Sequence, residues 1–136
     1  MAMSNKSVGN AFEREVCDIL AGYGFWVHNF MQNKDGQPAD IIAVKNGHAY
    51  LIDCKVCSTR KGFDPRRVEE NQDLSMTMWH ECGNGEGWFA VKIENLIYMI
   101  SHSAMMNCKA NNRGCMRLDD FALSGRLIGK WAKSCE

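Results

Sequence analysis

Apolar residues recur at helical spacing near the start of the chain. Phe12, Val16, Ile19 and Leu20 lie three or four positions apart, which is the period of one face of a helix. Gly22 and Gly24 follow and are typical helix-ending residues. The pattern predicts a helix over residues 7–21, followed by a short strand over residues 25–30.

Two short apolar runs, residues 41–44 and 49–52, flank the dipeptide Asn46-Gly47. Asn-Gly between such runs is the strongest short-range hairpin signal, because both turn positions need a positive φ. A two-residue turn here pairs Lys45 with His48. Continued outward, the same register places Asp40 directly opposite Asp53.

The rest of the chain predicts a mixed sheet with helices around it. Residues 31–38 are expected to form a loop, and residues 59–64 a mobile basic loop. Asp64-Pro65 is expected to open a second helix that runs to about residue 81. Strands are expected at 88–93 and 96–100, and a C-terminal helix around 124–133. We therefore expect an α/β fold with a mixed central sheet flanked by helices, formed as a single domain over residues 1–136.

The opposed acids Asp40 and Asp53 suggest a metal site. Two carboxylates facing each other across a hairpin are destabilising unless something offsets their charge. A divalent cation such as Mg²⁺, which prefers oxygen ligands, is the simplest offset. Lys55 lies two residues beyond Asp53 and leaves the same face of the strand, within reach of a metal-bound water or phosphate. Alternatively, the acids only mark strand ends with a weak ion pair, or a bulged turn shifts the register by one.

At this point the chain resembles the PD-(D/E)xK nuclease superfamily. The matching pieces are Pro38-Ala39-Asp40 and Asp53-Cys54-Lys55. The sequence departs from the motif twice: an alanine is inserted in the first piece, and the second acid is Asp where Glu is commoner. The second departure is mild, because Asp is an accepted variant. The resemblance implies a restriction-endonuclease-like core, catalysis by Asp40, Asp53 and Lys55, and Mg²⁺ as cofactor, with Mn²⁺ as a substitute. The backbone carbonyl of Cys54 is expected to join the metal ligands.

The first helix sharpens this resemblance. Residues 9–15, which include Glu13-Arg14-Glu15, are similar to the opening of archaeal Holliday junction resolvases, and RecU-type resolvases are a second relative by pattern. Glu13 and Glu15 border the apolar stripe from opposite sides, so geometry permits either acid as a ligand. The family likeness chooses Glu13. A purely structural alternative is a capping box formed by Asn10 and Glu13. Some superfamily members carry a glutamine on the second helix, which makes Gln72 a further candidate catalytic residue.

The charge balance is neutral overall but locally basic. The formal net charge is +0, which counts mildly against a nucleic-acid protein. A basic group nevertheless follows Lys55, and we expect it to bind DNA phosphates: Arg60, Lys61, Arg66 and Arg67.

The remaining features favour no other chemistry. The spacing of Cys54 and Cys57, with His80 and Cys82, resembles a zinc site, but on a continuing strand the first two point to opposite faces. The sequence contains no Gly-rich phosphate loop, so a nucleotide cofactor is not expected. The four tryptophans are most simply core residues, although one could stack on a base. Neither a signal peptide nor a membrane span is recognisable, and seven scattered cysteines favour a reducing cytoplasm, which we expect to be that of a bacterium or of a phage-infected host.

These features together predict a structure-selective DNA endonuclease, most like a Holliday junction resolvase. It would hydrolyse phosphodiester bonds to 5′-phosphate and 3′-hydroxyl ends, and two symmetric cuts would imply a homodimer. Two alternatives stay open. One is another repair, replication-linked or restriction-like nuclease of the same superfamily. The other is a DNA-binding module on the same fold that does not cleave.

Overall fold

A six-stranded mixed sheet forms the centre of the protein. The computed structural model describes residues 4–30, 38–111 and 114–135, so the loop predicted at 31–38 lies outside the described residues except for Pro38. Neighbouring strands follow one another in sequence order, and only β3 and β4 run parallel. The strands are β1 (Trp26–Asn29), β2 (Ile41–Lys45), β3 (His48–Val56), β4 (Trp88–Ile93), β5 (Leu96–Ser101) and β6 (Arg126–Leu127).

Helices cover both faces of this sheet. One face packs against α1 (Asn5–Gly22) and α5 (Ile128–Ser134), whose buried side chains include Phe12, Leu20 and Trp131. The other face packs against α2 (Glu70–Glu81), α3 (His102–Ala110) and α4 (Leu118–Ser124). The predicted mixed sheet flanked by helices is therefore confirmed. Within the described part of the chain, no helix is both long and apolar enough to cross a membrane.

Helix α1 begins earlier than predicted because Ser4 caps it. The Ser4 side chain accepts a hydrogen bond from the backbone N–H of Ser7 at 3.1 Å. Phe12, Val16 and Leu20 then bury one face, as their spacing predicts. Because the helix starts at Asn5, Asn10 and Glu13 lie inside it, and the capping-box alternative for Glu13 is wrong.

The predicted hairpin is present with the predicted register. Asn46 and Gly47 have φ values of 53° and 78°, and Lys45 pairs with His48. β3 is longer than predicted and continues through Asp53 to Val56. Asp53 and Lys55 therefore lie within one regular strand and leave the sheet on the same side.

The second helix is not continuous, and that prediction is wrong. Asp64 caps a short 3₁₀ helix, Pro65–Arg67, and the chain then becomes extended at Val68 before α2 begins at Glu70. Val68 is buried in the core, and its carbonyl accepts a hydrogen bond from Lys109 Nζ on α3 at 2.9 Å. This tertiary contact holds Val68 in a conformation that a continuous helix does not allow.

Two further predictions need correction. The predicted helix at 124–133 is interrupted by β6, which pairs with β5 before α5 starts at Ile128, and α3 and α4 were not predicted. The loop at 59–64, predicted to be mobile, is anchored to the rest of the fold near its end. Phe63 is fully buried and forms an isolated bridge with Met116 through two backbone hydrogen bonds of 2.8 and 2.7 Å.

Candidate active site

Asp40 and Asp53 meet at the end of the hairpin. The backbone N–H of Asp40 donates to the carbonyl of Ile52 at 3.1 Å, so the regular pairing ends at Ile41 and Ile52, and Asp40 lies just beyond it. Asp53 is 2% exposed, and its carboxyl lies within hydrogen-bonding reach of Asp40. Burial raises the pKa of Asp53 well above its ordinary value, and the negative charge of Asp40 raises it further. The two acids therefore form the close pair that the hairpin register predicts.

Glu13 brings a third acid to this pair from helix α1. It is 8% exposed, and Glu13 and Asp53 are the two buried charged residues of the described chain. Burial, and then the negative charge of Asp40, raise the pKa of Glu13 from 4.5 to about 7. Glu15 instead accepts a hydrogen bond from Lys92 Nζ at 2.8 Å. The structure therefore separates two acids that helical geometry alone could not distinguish.

Lys55 and Gln72 contact Asp53 from the other side. Lys55 Nζ lies 3.2 Å from Asp53 Oδ2 and donates a hydrogen bond to Gln72 Oε1 at 3.0 Å. Gln72 Nε2 donates to Asp53 Oδ1 at 3.3 Å. Gln72 lies in the first turn of α2, where its Oε1 also accepts from the backbone N–H of Glu69 at 3.1 Å. Helix α2 thus places one amide between the lysine and the acid.

Asp40 is held by the backbone of β3. The N–H of Cys54 donates to Asp40 Oδ2 at 2.7 Å, so the residue between Asp53 and Lys55 orients the opposite acid. Burial raises the pKa of the Cys54 thiol well above its ordinary value, so this thiol stays protonated. The contact shown by the structure is made by the N–H of Cys54, and a metal contact through its carbonyl stays a prediction.

The acid cluster fits a hard divalent cation by its donor chemistry, although it is not a preformed cage. Among the residues that the structure describes, no three His, Cys, Asp or Glu side chains are arranged as a ready metal site. The Lys55 ammonium lies beside one of the acids. Asp53 Oδ2 is buried and forms no regular hydrogen bond, but it lies 3.2 Å from the Lys55 ammonium. One ammonium does not balance three neighbouring acids, and a divalent cation bound among them would offset the remaining negative charge.

An open cleft of about 470 Å³ leads to Lys55. One side is formed by the N-terminal part of α1, where Asn5, Val8 and Gly9 line it. The other side is formed by the last three residues of β3, by Ser58 and Thr59 just after it, and by Arg67. Helix N-termini and arginines both favour anions, so the walls of this cleft suit a phosphate group.

The four predicted DNA-binding residues differ in their surroundings. Arg67 lines the cleft beside Lys55, and its guanidinium donates to the carbonyl of Val56 at 2.8 Å. Arg66 is exposed and forms an ion pair with Asp64 at 2.8 Å, which lowers the pKa of Asp64. Arg60 lines an adjoining cleft of about 630 Å³, and Lys61 is exposed on the same loop.

Arg117 joins Arg60 in the adjoining cleft and was missed from the sequence. The two arginines are far apart along the chain, and the backbone bridge between Phe63 and Met116 brings them together. No local motif marks Arg117, so only the folded chain identifies it as part of this basic surface.

Comparisons with known proteins agree with this geometry. A family model described as archaeal Holliday junction resolvase (Hjc) matches residues 4–123. Among solved structures, the chain is similar to Archaeoglobus fulgidus Hjc, a Holliday junction resolvase from an archaeal hyperthermophile, with a TM-score of 0.68 and 17% identity. That similarity covers 91% of this chain and 99% of the other, and at this identity it establishes the fold alone. No curated protein sequence matches the chain.

Proposed function

The chain belongs to the archaeal Holliday junction resolvase (Hjc) family, and on that premise we propose that it cuts four-way DNA junctions with Mg²⁺ bound by Glu13, Asp40 and Asp53. Members of this family are nucleases, so the chain is an endonuclease. The observation that carries the proposed site is that Asp40 lies close to two buried acids, Glu13 and Asp53, and raises the pKa of both. Such a cluster is costly in the absence of a cation and useful in its presence.

The proposed reaction is in-line attack of water on a backbone phosphate. Bound Mg²⁺ would polarise a phosphoryl oxygen and lower the pKa of the attacking water. Cys54 contributes by holding Asp40 through its N–H, and we propose that its carbonyl completes the protein ligands. Release of the 3′-oxygen would leave a 5′-phosphate and a 3′-hydroxyl.

Lys55 is proposed to hold the water or the developing negative charge on the phosphate. Its ammonium has three donors. One bonds Gln72 Oε1 and one faces Asp53 Oδ2, which leaves one for the substrate in the adjoining cleft. Gln72 acts as a positioning residue, because it contacts both Lys55 and Asp53 and so limits the rotamers of both.

Phosphates on either side of the cut are proposed to bind the basic surface. Arg67 and the N-terminal end of α1 flank the cleft at Lys55, and Arg60 and Lys61 continue the surface beyond it. Arg66 would contribute once its exposed ion pair with Asp64 opens, which costs little at a surface. Contacts of this kind give affinity without base specificity.

We further propose that the chain acts as one nuclease domain and as a homodimer. Both helical layers pack on the same sheet, which supports one domain.

Two cuts related by symmetry need two active sites. On α2, Leu74 and Met78 lie one turn apart and are exposed, and we expect a second copy to cover them. Light scattering during gel filtration should give twice the chain mass, and Leu74→Glu should shift it toward the monomer.

The central test is cleavage of a labelled four-way junction in Mg²⁺. Wild type should cut it and Asp53→Asn should not, whereas the matched control Glu15→Gln should cut normally, because Glu15 pairs with Lys92 away from the site. Ligation of the nicked product by a DNA ligase would establish the 5′-phosphate. Equal cutting by wild type and Asp53→Asn would exclude the proposed site. A strong preference for linear duplex over the junction would exclude the proposed substrate.

A further inference from the structure

Three ring side chains form a continuous aromatic stripe along β1: Trp26, His28 and Phe30. The rings of Trp26 and His28 are stacked, with centroids 6.2 Å apart and planes 10° from parallel. His28 and Phe30 meet edge to face at 5.4 Å. Trp26 is 64% exposed, although a tryptophan is expected to be core. The stripe is therefore an exposed aromatic surface and needs an explanation.

The stripe ends at the proposed active site. β1 lies at the edge of the sheet, and Trp26 and His28 pair with Val44 and Ile42 of β2. One step further, the N–H of Phe30 donates to the carbonyl of Asp40 at 2.9 Å. Strand alternation and the pairs His28–Ile42 and Ile42–Leu51 put the rings of Trp26 and His28 on the sheet face that carries Asp53 and Lys55. At roughly 3.3 Å per residue, Trp26 lies roughly 13 Å from the Asp40 end of the stripe.

The core does not account for this surface. Val27, on the opposite face of β1, packs in the cluster under α1 and holds the strand in place. Phe30 packs partly against the core beneath α2, α3 and α4, but Trp26 and His28 remain exposed. Their exposure is thus separate from what β1 needs in order to join the sheet.

We propose that the aromatic stripe stacks on unpaired bases of the DNA strand that is being cut. This inference rests on the proposed junction-cleaving function. Bases at a branch point are more easily unstacked than bases inside a duplex, and every base has a face that an aromatic ring can cover. Because the stripe is continuous with Asp40, a strand whose phosphate lies at the acids can pass along β1. Trp26 would then meet a base a few nucleotides from the cut.

A second copy of the chain is the competing occupant, and the geometry favours DNA. The stacked pair of rings lies on the same sheet face as an acid that must meet the substrate. A protein partner covering the whole stripe would also cover Phe30, whose N–H bonds the backbone carbonyl of Asp40. We therefore assign the stripe to DNA and make self-association an outcome of the test.

The test measures junction binding in EDTA, which separates binding from cleavage. The substrate is a four-way junction with 2-aminopurine at successive positions from the branch point, since its fluorescence reports stacking. Trp26→Ala should weaken junction binding by about 5- to 150-fold, the value of one base stacked on an aromatic ring, and should abolish the fluorescence change at one position. Trp26→Phe keeps a ring and should retain most of the affinity. Leu123→Ala removes another highly exposed apolar side chain and should bind normally.

Each outcome decides the proposal. Trp26 is exposed, so the variants should fold, and thermal unfolding would verify this. If Trp26→Ala binds the junction as tightly as wild type, or if it loses affinity equally for linear duplex, base stacking is excluded. If it becomes monomeric at concentrations where wild type is dimeric, the occupant is a second copy and the proposal is wrong. Failure of the proposed function is a different result, because wild type itself would then neither bind nor cut the junction.

Discussion

Replacing Glu13 with glutamine should make the metal-free protein more stable, although the residue is buried and most buried substitutions destabilise. Glutamine has the shape of glutamate without its charge. The charge is unfavourable in the folded protein without metal, because burial and Asp40 both oppose it. Glu13→Gln removes that unfavourable charge and leaves the packing of α1 nearly unchanged.

The magnitude follows from the pKa of Glu13. A rise from 4.5 to about 7 corresponds to about 3 kcal/mol, at about 1.4 kcal/mol for each factor of ten in proton affinity. Penetration of water and small ions reduces this value, so we expect Glu13→Gln to gain about 1–3 kcal/mol at pH 8. For a chain of this size, that gain raises the melting temperature by about 4–12 °C.

The sign depends on pH in a defined way. The pKa of Glu13 is raised on folding, so the folded protein binds the proton more tightly than the unfolded chain does. Its contribution to stability is fully present below pH 4.5 and is lost as the pH rises to about 7. Wild type and Glu13→Gln should therefore be equally stable near pH 4, and the variant should be the more stable one above pH 7.

The assay is thermal or urea unfolding in EDTA between pH 4 and pH 8, repeated with Mg²⁺. Mg²⁺ should stabilise wild type by about 2.7 kcal/mol at one hundred times its dissociation constant, and Glu13→Gln should gain less. Glu15→Gln is the matched control on the same helix. It loses an exposed ion pair with Lys92 and should show no gain at pH 8. Destabilisation of metal-free Glu13→Gln at pH 8, or a difference from wild type that does not change with pH, would refute the reasoning.

Three further predictions concern the positioning residue Gln72, the turn at Gly62 and the bound metal. Gln72→Ala removes the hydrogen-bond acceptor of Lys55, so it should lower the cleavage rate by about 10- to 100-fold while leaving junction affinity unchanged. Asn71→Ala, at the neighbouring exposed position, serves as the control. Gly62→Ala should reduce the free energy of unfolding by about 2 kcal/mol or more, because its φ is +101° and an added Cβ would clash with the backbone carbonyl oxygen of Met116. Gly85→Ala meets open space and should change stability by at most about 0.5 kcal/mol in the same denaturation experiment. EDTA should abolish cleavage while gel-shift experiments still detect the bound junction, and loss of both together would contradict the separation of metal and phosphate contacts.

Local signals were enough to predict the acid pair. The positive φ values of Asn46 and Gly47 determine the turn, and strand alternation then places Asp53 and Lys55 on one face, with Asp40 just beyond the regular pairing. The register and the resemblance to Holliday junction resolvases are both confirmed. The roles of these residues in catalysis and metal binding stay predictions.

Packing between distant segments explains what local signals missed. The helix predicted from residue 65 breaks at Val68 because the core and Lys109 hold that residue in an extended conformation. Trp26 is exposed because it lies on the edge strand β1. The residues of β1 alone do not show which face of that strand the core covers. Arg117 reaches the basic surface only through a backbone bridge between two distant segments.

The sequence by itself determined the hairpin, the first helix and the closeness of Asp40 and Asp53, because each depends on neighbours a few residues away. The tertiary structure alone decided that Glu13 lies beside Asp40 while Glu15 pairs with Lys92, and that Gln72 reaches Lys55. Helical periodicity places both glutamates at the edge of the same apolar stripe. The packing of α1 against the sheet buries one of them among acids and leaves the other beside a lysine.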